Sequence, residues 1–222
     1  MKTIAIVPAA GSGRRLGLKV KKPFVLLGGK PLVTYVLSVL ESSNLIDAII
    51  VAVEKSSIRR FKDLIKKYRF KKIIDIVIGG RTRFESVKSC LKRINFSCDI
   101  VLIHDGARPF LDKSLIGDSI RLAVKFGACI VAVPESDTVK FVDKDLFVKK
   151  TLDRNKIFRA QTPQTFRCNL IKKAYDVKGE DRITDDAALV ENLGKKIKIL
   201  KGSYRNIKIT IKEDLKLAEV LL

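Results

Sequence analysis

Short apolar runs rich in β-branched residues recur along the chain, and segments with apolar residues at helical spacing separate them. Strands buried on both faces of a parallel sheet have this appearance, because neither face meets water. The predicted strands are residues 4–8, 48–53, 73–78, 100–104 and 129–133. The predicted helices are residues 31–40 and two segments marked by Phe84, Val87, Leu91 and Ile94 and by Leu115, Ile116, Ser119, Ile120 and Ala123. This alternation predicts one α/β domain over residues 1–222, with a mostly parallel twisted sheet that binds ligands beyond the carboxyl ends of its strands.

After Pro134 the pattern changes to two short strands, residues 137–142 and 147–152, around the polar sequence Asp143-Lys144-Asp145. Two strands joined by a polar turn predict a projecting β-arm at about residues 137–154. Because an isolated two-stranded ribbon is marginal in water, we expect the arm to pack on a second subunit and form a homodimer.

The last part of the chain is predicted to contain three helices and two strands. The helices are near residues 169–177, 184–193 and 213–222, and the strands are residues 196–200 and 206–211. Thr184 is the expected N-cap of the second of these helices, and Gly194 is expected to end it.

Composition restricts the function classes. Hydrophobic residues make up 46% of the chain and charged residues 31%, which is typical of a globular protein. No apolar run approaches the roughly 18 residues of a membrane span. The apolar start runs directly into glycines and arginines, unlike a secretory signal. The four cysteines form no C-x-x-C pair and only one histidine accompanies them, so we expect reduced thiols and a cytoplasmic protein.

The formal net charge of +21 favours polyanionic partners. The first forty residues contain seven basic side chains and no acidic one, as would suit an enzyme that handles a triphosphate. These basic residues are Lys2, Arg14, Arg15, Lys19, Lys21, Lys22 and Lys30.

The first predicted strand ends in the sequence PAAGSGRRLG, residues 8–17. Small residues let the backbone approach a phosphate chain, and successive N–H groups then point at the phosphate oxygens. The sequence lacks the Lys-Ser or Lys-Thr pair of a Walker A loop, and its third glycine comes one residue late for a dinucleotide-binding fingerprint. It therefore indicates a different kind of phosphate-binding loop.

This loop, as A-A-G-x-G-x-R followed by a lysine, resembles the signature of the nucleotidyltransferases that activate sugars and polyols. Seven further motifs are similar, in the same order, to those of the 2-C-methyl-D-erythritol 4-phosphate cytidylyltransferases. They are GGRTRFESV (79–87), HDGARP (104–109), PESDT (134–138), TLDRN (151–155), QTPQ (161–164), ITDD (183–186) and NIK (206–208).

The resemblance implies a Rossmann-like fold of the nucleotide-diphospho-sugar transferase type. It also implies a reaction in which the phosphate of 2-C-methyl-D-erythritol 4-phosphate attacks the α-phosphorus of CTP in line and expels pyrophosphate. The product is 4-diphosphocytidyl-2-C-methyl-D-erythritol, an isoprenoid precursor of the non-mevalonate pathway. Mg²⁺ or another divalent cation is expected, held mainly by the triphosphate.

The same resemblance assigns residues to roles. Arg15 and Lys22 stabilise the transition state, and Arg154 and Lys208 position the incoming phosphate. Counting back from the aromatic residue Phe24 selects Lys22, with Lys21 as the neighbouring alternative. The implied CTP-binding residues are Pro8, Ala9, Ala10, Gly11, Gly13, Gly80, Ser86, Asp105 and Gly106. The implied polyol-phosphate residues are Asp105, Arg108, Thr138, Thr162 and Thr184. Asp105 is also the expected protein contact of the metal, whereas His104 is expected to be structural.

Three alternatives remain open on the sequence. Cytidylyltransferases that act on ribitol 5-phosphate share most of these motifs. A metal-dependent glycosyltransferase would use an Asp-x-Asp sequence such as residues 143–145, although a turn is the better explanation of that sequence. A basic nucleic-acid-binding protein would explain the charge, but no helix-turn-helix, zinc-finger or RNP motif is present. We therefore expect neither nucleic acid nor membrane as a partner.

Overall fold

The protein alternates strands and helices along most of its length. The structure, a computed structural model, describes residues 1–18, 20–176 and 183–222, so Lys19 and the end of the predicted helix 169–177 at Val177 lie outside it. The strands are β1 (Thr3–Pro8), β2 (Leu26–Leu27), β3 (Lys30–Pro31), β4 (Ala48–Val53), β5 (Ile73–Ile78), β6 (Ile100–Ile103), β7 (Ala128–Pro134), β8 (Lys140–Val142), β9 (Val148–Thr151), β10 (Phe158–Arg167) and β11 (Lys198–Lys201). The helices are α1 (Leu32–Ser42), α2 (Ile58–Tyr68), α3 (Arg83–Leu91), α4 (Lys113–Phe126), α5 (Cys168–Tyr175), α6 (Asp186–Asn192) and α7 (Lys212–Leu221).

The central sheet of the described chain has seven strands in the order β11-β7-β10-β6-β1-β4-β5. Strands β1, β4, β5 and β6 pair in parallel, as do β7 and β11, and β10 runs antiparallel between β6 and β7. The predicted mostly parallel sheet is therefore confirmed. Because β1, β4, β5 and β6 run the same way, their carboxyl ends meet at one edge.

Successive residues of β1 face opposite sides of the sheet and enter different apolar clusters. Ala5 and Val7 pack with residues of α1, α2 and α4, such as Leu37. Ile4 and Ile6 pack with residues of α3 and α5 on the other face, and both are 0% exposed. Burying one such isoleucine contributes about 1.5–3 kcal/mol to stability. Cover on both faces explains why the strand has a continuous apolar sequence.

Two local predictions in the last third of the chain are wrong. Residues 206–211 form no strand. Their apolar residues pack into a small cluster with α7, and the one backbone–backbone hydrogen bond from this segment to a distant part of the described chain runs from Ile209 N–H to Ala107 O at 2.9 Å. Thr184 is not the N-cap of α6. Asp185 takes that place, and its carboxylate accepts a hydrogen bond from the Ala188 N–H at 3.1 Å. An ionised cap is favoured at the positive end of a helix.

The predicted β-arm is confirmed as the antiparallel ribbon β8–β9. At its tip the Asp143 carboxylate accepts hydrogen bonds from the N–H groups of Asp145 at 3.1 Å and Phe147 at 2.9 Å. The sequence Asp143-Lys144-Asp145 is therefore a turn. The ribbon exposes large apolar side chains, including Phe147 at 72% and Leu146 at 80%.

Within the described ranges, no helix combines the length and apolar character needed to cross a membrane.

Candidate active site

A cleft of about 1060 Å³ opens at the sheet edge where β1, β4, β5 and β6 end. The segment that follows each of these strands contributes to its wall: residues 8–13, 54–55, 78–83 and 105–107. Lys208 and Thr210 close the remaining side. The cleft therefore lies where an open α/β sheet binds its ligands, as the sequence predicted.

The conformation of the loop after β1 requires a glycine at position 13. Gly13 has a φ of +71°, and a Cβ atom there would lie 3.1 Å from Cβ of Lys22. A glycine avoids both the strained left-handed backbone and the contact with Lys22. The loop then turns through Arg14–Leu16, with Leu16 N–H bonded to Gly13 O at 2.9 Å. This turn places Arg15 on the cleft wall.

Lys21 and Lys22 have different surroundings. The Lys21 amine forms an ion pair with Glu54, 2.8 Å from Oε2 and 3.0 Å from Oε1. Lys22 faces the charged groups of the cleft. Burial lowers the pKa of Lys22 to about 8, and repulsion by Lys208 and Arg15 acts in the same direction, against the attraction of Asp105. Both lysines line the cleft, but Lys22 is the one whose charge interacts with Lys208, Arg15 and Asp105.

Asp105 lies at the centre of the charge arrangement and is 5% exposed. Its Oδ2 is 2.6 Å from the amine of Lys208, and its Oδ1 is 2.8 Å from Nε of Arg83. Burial alone would raise the pKa of Asp105, but attraction to Arg83 and Lys208 outweighs it and holds the pKa far below its usual range. Asp105 is therefore an ionised carboxylate at neutral pH.

The backbone around Lys208 is fixed on both sides, by Asn206 before it and by Ile209 after it. The Asn206 side chain is fully buried and donates to the Thr162 carbonyl at 2.8 Å. The Ile209 N–H then bonds to Ala107 O at 2.9 Å. Lys208 lies between these two anchors, and its amine reaches the carboxylate of Asp105.

The turn after β5 packs closely against the phosphate loop. A Cβ atom on Gly79 would lie 2.4 Å from Cβ of Ala10, and one on Gly80 would lie 2.2 Å from Cβ of Glu85. Glu85 completes a capping box with Thr82 at the start of α3. Ser86 lines the cleft and donates its hydroxyl hydrogen bond to Thr82 O at 2.9 Å. A side chain larger than hydrogen does not fit at Gly79, where the two loops meet, or at Gly80, which lies against Glu85 of α3.

His104 is fully buried beneath the cleft and has both ring nitrogens in hydrogen bonds. Its Nε2 lies 3.2 Å from the Arg108 carbonyl, which can only accept, so Nδ1 accepts from the Thr162 hydroxyl at 3.0 Å. The Thr162 oxygen accepts in turn from the Asp105 N–H at 3.1 Å. Burial lowers the pKa of His104 to about 4. The histidine is thus neutral and has the structural position expected of it.

The structure brings some of the implied site residues together and leaves others outside the cleft wall. The wall includes Pro8, Ala9, Ala10, Gly11, Gly13, Arg15, Lys22, Gly80, Ser86, Asp105, Gly106 and Lys208. Thr138, Arg154 and Thr184 are exposed elsewhere, and Thr162 is buried at 4% exposure. Arg154 donates to Ser136 O at the base of the arm, at 3.0 Å. Arg108 donates to the carbonyls of Asn206 at 2.6 Å and Ala160 at 3.4 Å.

The ion-pair partners of the basic residues in the cleft were not predicted from the sequence. Glu54 follows β4 and fixes Lys21, and Arg83 links Asp105 to the fully buried Asp186. Arg83 and Asp186 lie in the motifs GGRTRFESV and ITDD, so their presence in the motifs was visible. Their pairing across 103 positions was not.

The carboxylates on the cleft wall, in the part of the chain that the structure describes, are Glu54 and Asp105, and each is paired with a cation. Among the same residues no three His, Cys, Asp or Glu side chains are grouped as metal ligands. Mg²⁺ binds through phosphate oxygens and waters with one or two carboxylates. So small a set of carboxylates fits a divalent cation that is held mainly by phosphate oxygens of a ligand and by water.

A basic, glycine-lined cleft beyond the carboxyl ends of a mostly parallel sheet suits a nucleotidyltransferase, and the relatives of this chain place it in that class of enzyme. In that class the protein supplies positioning and cationic stabilisation to a transferring phosphoryl group. The chain belongs to the 2-C-methyl-D-erythritol 4-phosphate cytidylyltransferase (IspD) family, whose model matches residues 3–222.

Individual relatives agree over nearly the full length. A protein of Clostridioides difficile (strain 630) named 2-C-methyl-D-erythritol 4-phosphate cytidylyltransferase is 46% identical, over 98% of this chain and 92% of that protein. A crystal structure of 4-diphosphocytidyl-2C-methyl-D-erythritol synthase from Anaerococcus prevotii superposes with a TM-score of 0.90 at 34% identity, covering 99% of this chain and 95% of the other. The cytidylyltransferase of Francisella tularensis gives 0.82 at 33% identity, with both chains fully covered. The predicted family and fold are confirmed.

Proposed function

We propose that this chain transfers the cytidylyl group of CTP to 2-C-methyl-D-erythritol 4-phosphate and releases pyrophosphate. The observation that carries the proposal is the convergence of Lys22, Lys208 and Asp105, from distant parts of the chain, on one cleft of the family's fold. A phosphate oxygen of the polyol bonds to the α-phosphorus as the bond from that phosphorus to the bridging oxygen breaks. No general base is needed, because a phosphate monoester is already anionic near neutral pH.

The glycine-lined loop 8–13 binds the triphosphate through its backbone, and the turn at Gly80 and Ser86 binds cytosine. Arg15 and Lys22 stabilise the charge that develops on the α-phosphate and on the leaving pyrophosphate. When bound, Mg²⁺ neutralises triphosphate charge and favours departure of pyrophosphate. Gly106 contacts the nucleotide, and Asp105 contacts both the nucleotide and the polyol phosphate.

Lys208 and Arg154 position the attacking phosphate. Lysine supplies a mobile point charge, and a planar guanidinium can grip two oxygens of one phosphate. Arg108, Thr138, Thr162 and Thr184 are the further polyol-phosphate residues that the family resemblance implies. The hydrogen bonds of the Thr162 hydroxyl to His104 and to the Asp105 N–H support a role in shaping the loop around Asp105 as much as direct contact. Arg108 donates from its two Nη atoms to backbone carbonyls, while its buried Nε has no partner among the described residues.

The β-arm makes the protein a homodimer in this proposal, and Arg154 of one subunit acts at the cleft of the other. The exposed apolar side chains of the ribbon, including Phe141 at 60% and Phe147 at 72%, support burial against a second copy. An exposed ribbon of two strands gains stability by packing on another surface. The position of Arg154 at the base of the arm supports its contribution in trans.

Methylerythritol phosphate is the proposed acceptor in preference to ribitol 5-phosphate, since the relatives carry the former name. Residues 1–222 act as one domain, and the enzyme works in the cytoplasm on these small molecules without nucleic acid or membrane. The four free cysteines support a reducing compartment.

A pyrophosphate-release assay tests the function directly. Each of the four ribonucleoside triphosphates is combined with methylerythritol phosphate or ribitol 5-phosphate in the presence of Mg²⁺. We expect pyrophosphate to be released only in the reaction that contains CTP and methylerythritol phosphate. Equal or faster release with ribitol 5-phosphate would overturn the acceptor, and release with another triphosphate would overturn the base.

A further inference from the structure

Arg83 joins two carboxylates, Asp105 and Asp186, that come from distant parts of the sequence. Its Nε is 2.8 Å from Oδ1 of Asp105, and its Nη1 and Nη2 are 2.8 and 2.7 Å from the two oxygens of Asp186. A guanidinium is suited to this, because its five donors are fixed in one plane. Lysine at the same position could reach one carboxylate but not hold both.

Asp186 gives Arg83 a rigid anchor. Its side chain is fully buried and also accepts a hydrogen bond from the Tyr175 hydroxyl at 2.5 Å. The Tyr175 ring stacks on Phe84, the neighbour of Arg83, with 4.7 Å between ring centres. Gln164 on β10 accepts from the backbone N–H of Asp186 at 3.1 Å. Helices α3, α5 and α6 and the sheet therefore fix the guanidinium in place.

Asp105 has two cationic partners with different freedom. The amine of Lys208 lies at the end of a flexible side chain that is 40% exposed, whereas the guanidinium of Arg83 is fixed by its ion pair with Asp186. A buried carboxylate without any cation is strongly unfavourable. If Lys208 were its only cationic partner from the protein, Lys208 could not turn to a substrate phosphate without leaving Asp105 with no protein cation beside it.

We propose that Arg83 is a positioning residue: it is the fixed counterion that keeps Asp105 in place and leaves Lys208 free to bind the attacking phosphate. This inference rests on the proposed roles of Asp105 and Lys208. Arg83 itself need not touch either substrate, because it acts through the carboxylate that it shares with Lys208.

A double-mutant cycle tests the inference. Arg83→Gln is compared with Asp105→Asn and with the double variant, and Arg93→Gln is the matched control. Arg93 follows the same helix and pairs with Asp75 at 2.6 Å, but its side chain is 62% exposed. We expect Arg83→Gln to lower kcat/KM about 100-fold. The KM for the polyol phosphate should rise far more than the KM for CTP, while Arg93→Gln stays near the wild type.

Because Arg83 acts through Asp105, adding Arg83→Gln to Asp105→Asn should change kcat/KM by less than about threefold. If Arg83→Gln fails to fold, Arg83→Gln/Asp186→Asn replaces it, since this variant removes the buried pair as a unit. Losses that multiply in the cycle, or an Arg83 variant that behaves like Arg93→Gln, would overturn the inference. Lys208→Met distinguishes failure of this inference from failure of the proposed function. If Lys208→Met retains full activity, the proposed active site itself is wrong.

Discussion

The amine of Lys21 lies 2.8 Å from Oε2 of Glu54, and this pairing distinguishes it from its neighbour Lys22. The two lysines are adjacent in the sequence but have separate electrostatic partners. Glu54 holds the first at the cleft rim, and the second meets Lys208, Arg15 and Asp105. The transition-state role implied by the family is therefore expected of Lys22.

This environment predicts an alkaline limit on activity. Lys22 of the free enzyme is protonated below its pKa of about 8 and loses its charge as the pH rises through that value. The kcat/KM for CTP should therefore fall above about pH 8. Lys22→Arg should remove that decline, because arginine stays protonated, whereas Lys21→Arg should retain it. Rate measurements between about pH 6 and pH 10 check this, and an unchanged profile for Lys22→Arg would exclude Lys22 as the titrating group.

Mixed dimers test whether Arg154 acts on the partner's cleft. Arg154→Gln and Lys22→Gln homodimers should each lose about 100-fold or more of kcat. A heterodimer of the two variants would contain one doubly defective site and one intact site, and should recover about half of the wild-type rate because the dimer is two-fold symmetric. Co-expression with two affinity tags isolates the heterodimer.

The matched control for that experiment is a heterodimer of Lys22→Gln and Lys208→Met. Both residues line the cleft of one subunit, so each of its two sites would be defective and no recovery is expected. A mixed Arg154→Gln/Lys22→Gln dimer as inactive as this control would place Arg154 in its own subunit's site.

The turn at the tip of the arm should have no part in catalysis. Asp143→Asn/Asp145→Asn is expected to retain kcat and KM within about twofold, because asparagine can still accept the backbone hydrogen bonds of the turn. Steady-state kinetics with CTP check this. A large loss of nucleotidyl transfer would revive the metal-binding Asp-x-Asp interpretation.

Thr162 should stabilise the fold through its hydroxyl. Thr162→Val leaves the Asp105 N–H and His104 Nδ1 without their partner and is expected to lower the free energy of unfolding by about 2–3 kcal/mol. Thr162→Ser keeps the hydroxyl and should cost less than about 1 kcal/mol. Urea unfolding measures both. If Thr162→Val were stable but raised the KM for the polyol phosphate, direct contact with the substrate would be the better account.

Strands β1, β4 and β6 could be predicted because they are buried and have continuous apolar sequences. Strand β5 could also be predicted from its apolar sequence, but it lies at the edge of the sheet, where Ile74 and Ile78 are each 52% exposed. Strand β10 could not be predicted, although it lies inside the sheet. Its sequence FRAQTPQTFR is largely polar and contains Pro163, where the pairing with β7 shifts between Ala160 and Gln164. Its buried polar side chains are satisfied by partners far along the chain, such as Ser119, which accepts from the Thr165 hydroxyl at 3.0 Å.

The candidate site likewise has features that could be predicted from the sequence and features that could not. The glycine-lined loop and its cations form a local sequence pattern whose chemistry can be recognised. The pairing of Arg83 with Asp186 depends on how α3 and α6 pack, and no local pattern contains that information. Nor does a motif reveal that Arg154 remains outside its own cleft, since that depends on the direction of the arm.

The insertion of β10 between β6 and β7 affects how the chain folds while it is being synthesised on the ribosome. When β7 leaves the ribosome, its place in the sheet is not yet available, because β10, the strand that joins it to β6, follows later in the chain and has still to emerge. About 33 residues separate the ends of β7 and β10, and at about 5–20 residues per second their synthesis takes roughly 2–7 seconds. For that interval the nascent chain presents an apolar, unpaired strand edge to chaperones and to neighbouring chains.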